Sequence, residues 1–135
     1  MQLPKMNTKE VAQLRDKLCQ DLTAIGIFPI TPKEGKPDIT IQIRPYSKSY
    51  YGRFVPKSNK MFIYCCSNPN GIKYPYSHLL KTAIHEGVHA LQRNDPKFIR
   101  VRGVMHNAEF HSLMWEYTKI ARDLKLFDYE WGEKL

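Results

Sequence analysis

A chain of 135 residues, 42% hydrophobic and 25% charged, can bury a core without disulfide staples but cannot hold two full domains and a linker, so disordered and fibrous classes are excluded and one domain, 1–135, is predicted. The longest apolar run, MFIYCC at 61–66, is far too short to span a bilayer, and the first residues lack an apolar stretch of signal-peptide length. The net charge of +8 is concentrated in 31–104, which carries thirteen basic and four acidic residues, so a polyanionic partner is expected there. The expected setting is intracellular, either cytoplasmic or associated with a nucleoid or nucleus, with no membrane partner and no secretion.

In chain order, a first helix is predicted from about Thr8 to Ile25. Asn7 and Glu10 form a capping box, Val11, Leu14, Leu18, Leu22 and Ile25 recur at helical spacing, and Gly26 is the stop. TPKEGKPD at 31–38 has loop chemistry. Three short β-rich runs follow, ITIQIR (39–44), SYYGRFV (49–55) and KMFIYCC (60–66), and an antiparallel meander is their simplest arrangement. Cys19, Cys65 and Cys66 are odd in number and form no CxxC, so neither a disulfide framework nor a four-cysteine zinc ribbon can be written. They are expected to be buried apolar side chains.

After the turn-rich SNPNGIKYPY (67–76), a helix from about Ser77 to Gln92 presents Leu80, Ala83, Ile84, Gly87, Val88 and Leu91 as its core stripe. RNDPKFIRVRGVM (93–105) breaks it at Pro96. A last helix from about Asn107 to Leu124 has Phe110, Leu113, Met114, Tyr117, Ile120 and Leu124 as its buried side. The fold class is therefore α+β: an N-terminal helix, a small antiparallel or mixed three-stranded sheet, and two C-terminal helices packed on it.

The chemistry concentrates on those two helices, because all five histidines lie between His78 and His111. In HEGVH, His85 and His89 stand one helical turn apart on the same face, where both rings reach a single ion. Glu86, rotated by about 100°, stands beside such an ion as a proton acceptor. For a chain of this composition the pattern arises by chance about once in a hundred sequences. A catalytic zinc needs a third protein ligand and an open fourth position. His106, Glu109 and His111 are the downstream candidates, and Glu109 would give a thermolysin-like arrangement. His78, two turns before His85, is too far to share the ion and reads as a solvated or capping histidine.

HEGVH followed by HNAEFHSLM resembles the SprT-like (Spartan-type) zinc metallopeptidase family, well over Ser77 to about Lys119 and more loosely through YYGRFVPKSNKMFIY. The resemblance implies a zincin-like fold, a Zn2+ cofactor held by His85, His89 and His106, and Glu86 as the general base, with Glu109 and Phe110 in supporting positions. It further implies an endopeptidase acting on proteins at DNA. Asn107 and Ala108 stand where the family favours Gly-Pro, and no cysteine-rich zinc ribbon follows.

The expected partners are a protein or peptide substrate and single-stranded or damaged DNA. Arg44, Tyr46, Lys48, Tyr50, Tyr51, Arg53, Phe54, Lys57 and Lys60 interleave the cations and rings that phosphates and bases attract. The other reading of this stretch is a solvated hairpin with its aromatics turned to the core. KMFIYCC is considered as an edge strand for β-addition of a substrate peptide, and Tyr64, Tyr74 and Tyr76 lie near enough in sequence to assist an oxyanion. A non-hydrolytic, zinc-stabilised binding module is the alternative from a different functional class.

Overall fold

The structure, a computed structural model, describes residues 8–32, 34–95, 98 and 106–131. Helix α1 spans Thr8–Ala24, strands β1 Thr40–Arg44, β2 Gly52–Val55 and β3 Lys60–Tyr64, helix α2 Tyr76–Asn94 and helix α3 Ala108–Asp123, followed by a 3-10 turn at Leu126–Asp128. This is the α+β arrangement expected. Asn7, the proposed cap of α1, lies outside the described residues. Gly26 does stop the helix: at φ +95° it lets Ile27 N–H reach the Leu22 carbonyl at 2.9 Å and its own N–H reach that of Thr23 at 3.1 Å, a Schellman closure.

The sheet is mixed, with order β1-β3-β2, so the antiparallel meander is corrected. β2 and β3 form the expected hairpin, but β1 pairs parallel with β3, Thr40 opposite Lys60 through Arg44 opposite Tyr64. The physical reason is burial. MFIY is the most apolar of the three runs, and a central position covers both of its edges. β3 is therefore not an edge strand, and the free edges belong to β1 and β2.

Ile41, Met61 and Ile63 form one sheet face against the helices, where they join Leu14, Leu18 and Leu22 of α1 and Leu80, Ala83, Ile84, Val88 and Leu91 of α2 in a single core. Tyr76, 1% exposed, ties α1 to α2 by donating its hydroxyl to Asp21 Oδ2 at 2.6 Å, while Lys17 Nζ holds the other carboxylate oxygen at 3.1 Å. That contact drives the Tyr76 phenol far above its ordinary range, first through burial and then through Asp21. Cys65 and Cys66 are buried free thiols, as expected, whereas Cys19 is only partly buried; burial raises Cys65 and Cys66, Cys65 to about 12. On α3 the expected stripe holds except at Leu124, which is 51% exposed because the helix ends there and the chain turns away through Lys125 at φ +59°.

Candidate metal centre

The middle of α2 places the chemistry. Its core stripe turns the opposite flank outward, and His85 and His89 occupy that flank one turn apart, with their Nε2 atoms separated by 3.2 Å. His106, just before α3, brings its Nε2 to 3.2 Å from that of His89. The available ligand atoms of the three residues all lie within 4.8 Å of one another. Tetrahedral zinc with Zn–N bonds of about 2.0–2.1 Å separates its ligand nitrogens by about 3.3 Å, so the observed spacing fits one ion.

Protonation agrees with the geometry. Burial, reinforced by His85 and His106, lowers His89 to about 4, and burial followed by His106 lowers His85. Neutral imidazoles are the form that ligates. The group is thus able to hold a metal ion.

Phe110 forms the floor beneath the three rings. It is 2% exposed, and its ring centroid lies 4.6 Å from that of His89, 5.0 Å from His85 and 4.7 Å from His106. α3 is positioned to supply it by two contacts at its start. Asn107, at the N-cap, accepts from Phe110 N–H at 2.8 Å, an N-cap bond that replaces the turn expected from Gly-Pro. Gln92 donates from Nε2 to Asn107 Oδ1 at 3.2 Å and to Glu109 Oε1 at 2.8 Å, fixing the end of α2 to the start of α3.

Glu109 therefore faces Gln92 and is not part of the converging group. His111 is exposed, with its ring 6.5 Å from that of His106, and it also stands outside the group. The loop between the helices, with Gly103, lies largely outside the described residues.

Glu86 lies beside the triad, with Oε2 3.9 Å from His85 Nε2. At 8% exposure its carboxyl is pushed up to about 7 by burial, opposed by the backbone N–H of Phe54. The strand supplying that amide is β2. Tyr64 N–H bonds to the Tyr51 carbonyl at 3.0 Å, which sets the antiparallel alternation so that Arg53 and Val55 pair inward with β3 while Gly52 and Phe54 turn their backbone groups to the free edge. Gly52 permits the close approach: a Cβ there would stand 2.6 Å from Thr82 Cγ2 and 3.3 Å from Glu86 Cγ.

A cleft of about 480 Å³ runs along this edge, lined by Tyr50, Arg53, Phe54, His85, Glu86, His89, Arg93 and His106 among others. None of Tyr64, Tyr74 and Tyr76 lines this cleft; Tyr76 donates to Asp21, and Tyr74 packs on His78 and Tyr51. Tyr50 is the tyrosine that lines the cleft.

His78 is half-buried rather than fully solvated. It stacks on Tyr74 at 4.0 Å and meets Tyr51 edge-on at 4.9 Å, with Nε2 buried and without a partner. The basic stretch divides: Tyr46 and Phe54 pack against the core, while Arg44, Lys48, Tyr50, Tyr51, Arg53, Lys57 and Lys60 are exposed. Arg93 and Gln92 are the site residues that the sequence reading passed over. Their signal was position, since Gln92 is three and Arg93 four residues beyond His89 on the same helix. No helix among the described residues is long and apolar enough to cross a membrane. Comparisons with protein-family models, with curated proteins and with solved structures find no match to this chain.

Proposed function

We propose that this chain is a zinc-dependent endopeptidase of the SprT-like kind, with His85, His89 and His106 holding the ion and Glu86 acting as base and then acid. The observation that carries the reading is the convergence of three imidazoles at single-ion spacing with a carboxylate beside them on the same helix. Zinc held by three imidazoles supplies Lewis acidity toward a peptide carbonyl and toward water. Glu86 takes the proton of the attacking water and returns it to the leaving amine.

An extended substrate segment adds to the free edge of β2, meeting the outward backbone groups of Gly52 and the Phe54 carbonyl, while the Phe54 N–H stays on Glu86. KMFIYCC, expected in this role, forms the central strand β3, whose two edges are both paired. The binding-module alternative is disfavoured because a structural zinc closes its fourth position with a protein ligand, and no fourth His, Cys, Asp or Glu joins the group among the described residues. The deciding experiment compares zinc-loaded wild type with Glu86→Gln for zinc content and for cleavage of unfolded protein. Zinc retained with hydrolysis lost is the expected result, and equal hydrolysis by both proteins would remove the mechanism.

Nucleic acid is the proposed partner. Tyr51 and Trp115 are 62% and 69% exposed. Between and beside them lie Lys81, Lys119 and Arg122, with Lys119 Nζ 5.4 Å from the Trp115 ring. Rings for base stacking and cations for phosphates in one belt beside the metal centre suit a single strand. Binding of single-stranded DNA should weaken with added salt and on Trp115→Ala. Binding unchanged by both would remove the partner from the reading.

A further inference from the structure

The flank of α2 that carries the ligands does not end with them. At four-residue spacing it reads Lys81, His85, His89, Arg93, so Arg93 stands one turn beyond His89 on the same side. Arg53 enters the same cleft from the edge strand β2, its guanidinium carbon 5.4 Å from the Tyr50 ring centroid. Neither guanidinium is engaged by a carboxylate among the described residues. The carboxylate that shares the cleft, Glu86, lies buried against His85 and is assigned to proton transfer.

On the other side of Glu86 a second cavity of about 450 Å³ shares Tyr50, Gly52, His85 and Glu86 and has Lys81 as its one cation. The two sides of the metal centre therefore differ. One offers two guanidinium forks that no carboxylate engages among the described residues, and the other a single lysine.

We propose that Arg53 and Arg93 form a carboxylate-binding subsite, so that the substrate is a polypeptide presenting a carboxylate on the Arg93 side of the bond to be cut. This deepens, and rests on, the hydrolase reading above. A guanidinium is the fitting group for the task, because its planar fork takes a carboxylate through two parallel hydrogen bonds and stays charged at every working pH. The carboxylate comes from a Glu or Asp side chain or from the chain's own C-terminus. Both present the same planar anion to the two arginines.

The test uses zinc-loaded Glu86→Gln protein, so that binding is read without turnover. Fluorescent short peptides in which one Glu or one Gln is moved through each position, each made as the C-terminal acid and the C-terminal amide, are titrated by anisotropy. A single Glu position should bind about tenfold tighter than its Gln counterpart. That gain should vanish in Arg53→Gln and Arg93→Gln and persist in part in Arg93→Lys. A gain that follows the acid terminus and not the Glu assigns the subsite to the chain end.

Lack of any carboxylate advantage, an advantage that survives both Gln variants, or no peptide binding at all would overturn the subsite. Wild-type cleavage of the same peptides is scored separately. Cleavage indifferent to charge removes the subsite and leaves the hydrolase, whereas arginine-dependent binding without cleavage leaves the subsite and removes the hydrolase.

Discussion

The ring of Phe110 lies nearly parallel to that of His89, 4.6 Å between centroids and 27° between planes, and it touches His85 and His106 edge-on as well. One buried aromatic side chain thus packs against all three imidazoles. Phe110→Leu keeps an apolar floor of different shape, and zinc affinity measured by chelator competition should fall about tenfold, the size expected when a supporting contact of a metal ligand is lost. Unchanged affinity would show that the rings are oriented without it.

Gly52 is where strand and helix meet most closely. Gly52→Ala drives a methyl toward Thr82 Cγ2 at 2.6 Å, so β2 must move off α2 and carry the Phe54 amide away from Glu86. Activity should fall at least about tenfold, with a stability loss of about 1–3 kcal/mol. Adding Thr82→Ser removes the clashing methyl and should recover part of both. A double variant no better than the single one would place the damage elsewhere.

The third ligand separates two zinc geometries. His106→Ala should lower zinc affinity by about a hundredfold or more. Glu109→Gln, which still offers an oxygen to Gln92, should keep the metal. The reverse pattern in metal-content analysis would establish the thermolysin-like arrangement.

Tyr76→Phe leaves Asp21, 2% exposed, with Lys17 as its remaining side-chain partner. Losing a buried hydrogen bond to a charged acceptor should cost about 1.5–3 kcal/mol in urea unfolding with the slope unchanged. A cost near zero would mean that water replaces the hydroxyl.

His78 gives a pH signature. Burial, then Lys81, lowers its pKa from the ordinary 6.5, and the other groups facing it are the rings of Tyr51 and Tyr74. Because the folded state holds the neutral ring, the unfolded chain binds the proton more readily. The contribution is complete above about pH 6.5 and is lost as pH falls toward the depressed folded value. Between about pH 7.5 and about pH 5 the metal-free wild type should therefore lose more Tm than His78→Phe, which keeps the stack on Tyr74. Equal losses would show that His78 is free to protonate in the fold.

Local order in the sequence determined the helices, the strand runs and the ligand pattern. Val11 to Ile25 and Leu80 to Leu91 each follow the 3.6-residue period set by the backbone, and the same period puts His85 over His89 and Arg93 beyond them. Gly26 announced its own turn because few other residues adopt its φ.

Tertiary structure decided what periodicity cannot encode. Strand order depends on which run gains most from having both edges covered, so β3 moved to the centre and the free edge at the metal centre passed to β2. Glu109 and His106 are equally plausible ligands by spacing. Their difference came from Gln92, seventeen residues before Glu109, which holds that carboxylate, while the ring of His106 packs on Phe110 beside His85 and His89. Long-range contacts select among side chains that local geometry leaves equivalent.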